Sequence, residues 1–114
     1  MATAKTTVAH LLEQLEPLQV RARAMFGEYG LYCDEKIVGL VCDDTFFLKP
    51  SSASAGLGIH LVPAPPYPGA KEYFVIGAAI IEDDEQFRRV VQATADALPA
   101  PKPARIGRRR AGQL

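Results

Sequence analysis

The chain has 114 residues, 48% of them hydrophobic, and equal numbers of basic and acidic side chains, 13 of each. This length suits one domain with one hydrophobic core, and the composition is ordinary for a soluble globular protein. No apolar run approaches the ~20 residues of a membrane helix, and residues 1–7 show no secretory signal. We therefore expect a cytoplasmic protein with no membrane partner.

The neutral net charge conceals an asymmetry. Residues 99–114 hold five basic side chains and no acid, whereas the rest of the chain holds eight basic residues against thirteen acidic ones. The five are Lys102, Arg105, Arg108, Arg109 and Arg110. We expect an acidic domain over residues 1–98, followed by a flexible Pro/Ala/Arg-rich basic tail over residues 99–114 that can serve as an interaction arm.

Apolar residues at helical spacing predict an amphipathic helix over about residues 8–17. Thr6 or Thr7 can cap its start, and Pro17, which lacks an amide proton, would end or kink it. From Val20 the apolar period becomes two, which is typical of a strand with one wet face. In the run 23–32, two glycines three residues apart, each beside an aromatic residue, predict a bulge or bend that re-aims large side chains.

Further strands are predicted at 29–33, 37–42 and 45–49. The acidic breaks between them, 34–35 and 43–44, are too short for crossovers, so the result is a four-stranded antiparallel meander. If each turn has two central residues, Cys33 pairs with Lys36 and Cys42 with Thr45. The cysteines then lie about 16 Å apart, whereas a disulfide needs Cα atoms within about 7 Å, so we expect no bridge.

The strand at 37–42 is apolar on both faces, and Phe46 and Phe47 must point in opposite directions. The predicted helices can cover only one face of the sheet. We expect a second copy of the chain to cover the other face in a homodimer. The alternative is that the 50–72 segment folds back over it.

The proline-rich residues 50–70 favour an extended surface crossing. A strand is predicted at 73–76 and a second helix at 83–98, where three acidic residues suit the positive end of the helix dipole. Together these elements predict an α+β fold, in which an antiparallel meander sheet carries N- and C-terminal helices in a two-layer arrangement.

Nothing in the sequence predicts catalysis, a metal site or a cofactor. The two histidines, His10 and His60, are remote from Cys33 and Cys42, and the four residues match no ligand spacing. The acidic pairs are explained by turn chemistry. A small-molecule site or an enzyme would need a pocket with convergent polar groups.

Two features could contact nucleic acid. Aromatic residues on adjacent strands could stack bases, although core packing or a dimer face explains them better; they are Tyr29, Tyr32, Phe46 and Phe47. The basic tail could bind several phosphates in a salt-sensitive, sequence-independent way, or it could merely be a solubilising terminus.

The run Arg-Ala-Met-Phe-Gly-Glu-Tyr-Gly-Leu-Tyr at 23–32, the acidic turn and the Phe-Phe-Leu-Lys strand at 46–49 resemble the N-terminal domain of the TfoX/Sxy competence regulators. Glu28 stands where the family pattern has a second glycine. The resemblance gives a structural role to Met25, Phe26, Gly27, Tyr29, Gly30, Tyr32, Asp44, Leu48 and Lys49. It implies an α+β fold, often dimeric, in proteins of transcriptional control of DNA uptake, with no catalytic residues.

The chain thus looks like a stand-alone module of this type. The predicted function is that of a non-enzymatic regulatory or protein-interaction module. We expect a homodimer, and the sequence does not identify any further protein partner. The alternative is a nucleic-acid-associated protein that binds phosphates through its basic tail.

Overall fold

The structure is a computed structural model that describes residues 3–100. Three α-helices, one 3-10 turn and six strands occur in this part of the chain. In chain order they are α1 (Lys5–Leu15), β1 (Val20–Met25), β2 (Glu28–Cys33), β3 (Lys36–Cys42), β4 (Thr45–Leu48), the 3-10 turn (Ser54–Gly56), β5 (Val62–Ala64), β6 (Tyr73–Ile76), α2 (Ala78–Ile81) and α3 (Asp84–Ala97). No helix between residues 3 and 100 is long and apolar enough to cross a bilayer.

The six strands form one antiparallel sheet in the order β1-β2-β3-β4-β6-β5. Helices α1 and α3 pack against each other and against one face of this sheet. Phe46 of β4 meets Phe87 of α3 edge to face at 5.7 Å between ring centroids, and both rings are buried. The predicted α+β fold is therefore confirmed, with a sheet two strands wider than the predicted meander.

The acidic hairpin turns have the predicted length. Cys33 pairs with Lys36 and Cys42 with Thr45, which confirms the predicted register. All four turn residues, 34–35 and 43–44, have positive φ, as type I′ turns require. Asp tolerates this region of φ better than most residues, which explains why these turns are acidic.

The glycine-rich run contains a turn and faces an irregularity. Phe26 and Gly27 form the two-residue turn between β1 and β2, with φ of 51° and 82°. The register of β2 against β3 shifts between Leu31 and Tyr32, because these residues pair with Gly39 and Ile37 and the extra residue is Val38 of β3. The run is therefore a hairpin, and the bulge opposite its end lies in β3 rather than in the run itself.

Helix α1 begins earlier than predicted and is capped by a distant residue. Its N-cap is Ala4, which has no side-chain acceptor, so the prediction of a Thr6 or Thr7 cap is wrong. Instead Asp44, in the β3–β4 turn, accepts hydrogen bonds from the Ala4 amide and the Thr7 hydroxyl, both at 2.8 Å. These bonds and the N-terminal dipole of the helix stabilise the ionised carboxylate, and its pKa is lowered.

Residues 50–72 are more structured than a surface crossing. Leu57 is buried in the core, and residues 62–64 form the edge strand β5. The short helix α2 was not predicted, because four residues are too few to show a helical period. Helix α3 begins as predicted: Asp83 caps it by accepting from the Gln86 amide at 3.2 Å.

Gly39, which the sequence analysis did not single out, is sterically required. A Cβ at this position would lie 2.4 Å from the Phe47 carbonyl oxygen and 2.6 Å from Cε1 of Phe46. The first contact is with backbone, which cannot move without breaking the pairing of β3 with β4. The predicted basic tail from residue 101 onward lies outside the described residues.

Gly39→Ala should destabilise the protein by about 3 kcal/mol, the upper part of the range for overpacked cores. Gly56→Ala is the matched control, since a Cβ there meets nothing within 4 Å, and it should change stability by no more than about 0.5 kcal/mol. Urea unfolding at constant slope measures both. Equal effects of the two substitutions would contradict the assigned role of Gly39.

Asp44→Asn should reduce the acid sensitivity of the fold. Because the pKa of Asp44 is lowered in the folded state, its contribution to stability is complete above its unfolded pKa of about 3.9 and is lost as pH falls through the lower folded value. Asp43→Asn is the matched control, in the same turn with the same sign of φ. Unfolding free energies measured from pH 2 to pH 5 should show a weaker pH dependence only for Asp44→Asn.

Candidate interaction surface

The two faces of the sheet are covered differently. Since Phe46 points toward α3, its neighbour Phe47 and the cross-strand partner Leu40 point to the opposite side, which we call the open face. A side chain at Gly30 would meet Met25, Tyr32 and Ile37 on that same side. The open face comprises Arg21, Arg23, Met25, Tyr32, Ile37, Leu40, Cys42, Phe47, Tyr73 and Val75.

The loop of residues 65–71 covers part of the open face. Pro66 is buried, and a depression of about 180 Å³ is lined by Leu40, Pro66, Tyr67, Ala70, Lys71 and Tyr73. Phe47 is only 8% exposed. The alternative considered for the second face, a fold-back of the 50–72 segment, therefore holds for part of the face.

A groove remains open between this loop and the β1–β2 hairpin. Its volume is about 680 Å³, within the range of small-molecule and side-chain binding pockets. Its lining residues are Met25, Phe26, Glu28, Tyr29, Leu40, Cys42, Tyr67 and Tyr73. We call it the tyrosine groove, because three of the eight residues are tyrosines. Burial, and to a smaller extent the neighbouring Tyr67, raises the pKa of Tyr73.

Phe26 stands at the tip of the hairpin beside the tyrosine groove and is fully exposed, at 104% of its reference surface. Its φ of 51° is one that bulky residues seldom adopt. A type I′ turn prefers Asn or Gly at this position, and a strained backbone costs of order 1–3 kcal/mol. Within residues 3–100, the ring of Phe26 gains no burial that would compensate this cost.

The edges of the sheet are poorly suited to adding a strand from a second copy. The outer edge of β1 carries Arg21 and Arg23 on the open face, so an antiparallel copy would bring arginines close to one another. At the other edge, β5 contains Pro63, which cannot donate a backbone hydrogen bond. Charges and prolines on edge strands are common protections against strand pairing. Among residues 3–100, both edges of the sheet are therefore protected against pairing, whereas part of the open face is not covered.

At the opposite end of the open face, Arg21, Tyr32 and Glu35 form a cluster in which both charged groups have a partner. The guanidinium of Arg21 lies 4.6 Å from the ring centroid of Tyr32 and donates to Glu35 from Nε at 3.2 Å and Nη2 at 2.9 Å. This bonding to Arg21 lowers the pKa of Glu35, and the carboxylate raises the pKa of Arg21. The cluster is solvent-exposed, so it contributes little to stability.

The cysteines and histidines are not arranged as nucleophile and base. Burial raises the pKa of Cys33 to about 11, and its thiol lies 3.9 Å from Oε1 of Gln92. Burial also raises the pKa of Cys42. Both are free thiols held in the weakly nucleophilic protonated form. His10 instead contacts Glu82 at 2.7 Å.

A second groove, of about 570 Å³, lies between α1, α2 and the ends of β4 and β6. It contains the convergent polar groups that a small-molecule site would need. Those groups engage one another, however: His10 contacts Glu82, and Asp44 accepts from Thr7. Among residues 3–100, no group of three or more His, Cys, Asp or Glu could hold a metal ion.

Seven of the nine motif residues lie in two places; of the other two, Tyr32 stacks with Arg21 and Asp44 caps α1. Met25, Phe26, Gly27 and Tyr29 surround the β1–β2 turn and the tyrosine groove, with Gly30 next to them in β2. Leu48 is in the core, and the Lys49 amide donates to the Val38 carbonyl at 2.8 Å, beside the bulge. The five basic residues of the tail, 102–110, fall outside the described part of the chain.

Sequence reasoning missed three residues of the groove. Tyr67 and Tyr73 were assigned to an irregular crossing and to an isolated strand, since β6 joins the meander through a pairing with β4 that local patterns cannot show. For Glu28, the sequence indicated only that it replaces the second glycine of the family pattern. In the structure its carboxylate accepts from the Thr3 hydroxyl and from the Asp43 amide, the latter at 3.3 Å, and so connects the two hairpin tips.

Comparison with known proteins identifies the family. Residues 10–98 match the TfoX N-terminal domain. The chain is also similar to the uncharacterized 12.7 kDa protein in the trpE 5′ region of Spirochaeta aurantia, with 44% identity over 104 residues, which are 90% of each chain. A family match across most of the chain agrees with the α+β fold and with the motif around Phe26. The chain therefore belongs to the TfoX N-terminal domain family.

Proposed function

We propose that this protein is a non-enzymatic cytoplasmic module of TfoX-like regulation that acts through protein contact on its open face. One observation carries the proposal: Phe26 is fully exposed at positive φ beside an apolar groove. Exposed apolar surface next to a concave site is typical of interaction sites. Membership of the TfoX N-terminal domain family supports a regulatory role. The regulatory role that this family suggests is the control of competence genes.

The first partner we propose is a second copy of the chain. A two-fold interface must be self-complementary, and the open face presents an apolar knob, Phe26, beside an apolar groove. Aromatic residues that fill pockets are the usual anchors of such interfaces. The free thiols of Cys33 and Cys42 fit a reducing compartment, which supports the cytoplasmic location.

Phe26→Asn should abolish self-association without loss of fold. It removes the aromatic anchor and creates Asn-Gly, the preferred pair for a type I′ turn. In dilute solution, where the chain is monomeric, we expect the unfolding free energy to rise by about 1 kcal/mol as strain is relieved. Light scattering after size-exclusion chromatography, together with urea unfolding, tests both effects.

Ala9→Gln is the control, since Ala9 is an exposed apolar residue of α1, on the helix-covered side of the sheet. It should leave the dimer intact. An unchanged dimer in Phe26→Asn, or a 1–98 truncation that stays monomeric at high concentration, would refute the proposed interface.

A second candidate function is phosphate binding by the basic tail. It is favoured by the charge distribution, since residues 99–114 hold five basic side chains and no acid. Such a segment binds nucleic acid weakly and without sequence preference, through release of counterions.

Fluorescence anisotropy of duplex DNA tests this candidate with the full chain and a 1–98 truncation. Five phosphate contacts predict a slope of log K against log salt of about −4.5 for the full chain, and no binding by the truncated one. Equal binding by both forms would place the contact on the domain instead. No binding by either would leave protein contact as the function.

A further inference from the structure

The tyrosine groove has the chemistry of a cation site. At the other end of the open face, Arg21 stacks on Tyr32 and pairs with Glu35. The groove offers the same kinds of partner, tyrosine rings and the carboxylate of Glu28, and its eight lining residues include no Lys or Arg. Guanidinium groups bind well between aromatic faces and carboxylates.

Glu28 keeps acceptor capacity for such a cation. It is half-buried, and it accepts from the Thr3 hydroxyl and the Asp43 amide. A carboxylate has about four lone-pair sites, so these neutral donors leave room for a charged one. Two neighbouring sites are already paired: Glu35 binds Arg21, and Asp34 and Asp96 each accept from Gln92 at 2.9 Å.

The chain carries its own source of guanidinium groups. All thirteen acidic residues lie within residues 3–100, where they outnumber the eight basic ones, and the basic tail supplies the remaining five positive charges. The domain and the tail are therefore complementary in charge.

The described part of the chain ends beside the open face. Leu98 and Pro99 line a depression of about 260 Å³ together with Tyr32, Ile37 and Lys49. Along β3, Ile37 and the groove residue Leu40 are about 10 Å apart. An extended chain spans about 3.3–3.6 Å per residue, so Arg105 can reach roughly 17 Å from Ala100 and Arg108 roughly 28 Å. Along β2, Tyr32, which lines the depression with Pro99, and the groove residue Glu28 are about 13 Å apart, so Arg108 has the length to reach the carboxylate.

We propose that the tyrosine groove binds an arginine side chain of the basic tail of the same chain. The docked tail crosses the open face from Pro99 to the groove beside Phe26. It then competes with any partner for that face, and the docked arginine is withdrawn from phosphate. This inference does not depend on the proposed dimer, because it concerns the occupant of the groove in one chain.

The test uses the full-length chain and a full-length variant with Arg105, Arg108, Arg109 and Arg110 replaced by Gln. A synthetic peptide of residues 101–114 is titrated into each at low salt and followed by amide chemical shifts. The peptide should bind the variant, with shifts at Met25, Leu40, Tyr67 and Tyr73. It should bind the parent chain at least about tenfold more weakly, the effect of 90% occupancy by the tethered tail.

Matched controls test whether binding depends on the tyrosine ring and on the positive charge of arginine. In the Gln variant, Tyr67→Phe should retain peptide binding because the ring remains, and Tyr67→Ala should weaken it; Tyr67 is 56% exposed, so neither should disturb the fold. A peptide with citrulline in place of arginine keeps the shape without the charge and should not bind. Equal affinity of the peptide for parent and variant, binding of the citrulline peptide, or shifts centred on Asp34 and Asp96 would each overturn the proposal.

Dilution distinguishes the source of the arginine. The shift differences between the parent chain and the Gln variant should persist over a tenfold dilution if the tail docks on its own domain. Differences that disappear on dilution would assign the arginine to a second copy and would overturn docking within one chain. Light scattering of the Gln variant, whose groove the tail no longer occupies, reports on self-association by itself, so failure of either proposal can be recognised separately.

Discussion

One-sided helical cover is the constraint on which this structure depends. Helices α1 and α3 shield one face of a six-stranded sheet and form the core with it. The apolar side chains on the other face are covered only in part, by the loop of residues 65–71, in which Pro66 is buried. Both sheet edges are guarded, by arginines in β1 and by Pro63 in β5. The remaining route for burying apolar surface is therefore the uncovered part of the open face.

Polar contacts fix the groove at the end of this face. Thr3 bonds to Glu28, Glu28 to the Asp43 amide, and Asp44 to the start of α1, so both hairpin tips and the N-terminal segment are connected. Networks of this kind hold neighbouring elements in one arrangement. Glu28 thus contributes in two ways, since the carboxylate that joins the tips also lines the tyrosine groove.

Local patterns predicted the meander because two-residue acidic turns fix both the pairing and the register, as the pairs of Cys33 and Cys42 confirm. They could not predict the distant pairing of β6 with β4, and this pairing brings Tyr73 to the groove. They also missed the Asp44 cap of α1, which spans 40 residues of sequence between its two ends. The groove is consequently a tertiary feature, assembled from segments whose local sequences show nothing unusual.

Because the turn at Phe26 is strained and its ring is exposed, the stability of the domain does not explain the aromatic residue at this position, and an interaction explains it better. Asn would satisfy the backbone of this turn better, and Phe26 buries none of its surface within the described chain. A side chain that is unfavourable for the isolated domain becomes favourable when it fills a pocket of a partner. The adjoining groove has the size and apolar lining to receive such a side chain, while its carboxylate and tyrosines suit a cation. Self-association through Phe26 and docking of the basic tail, as proposed above, would use the same groove and would therefore exclude each other.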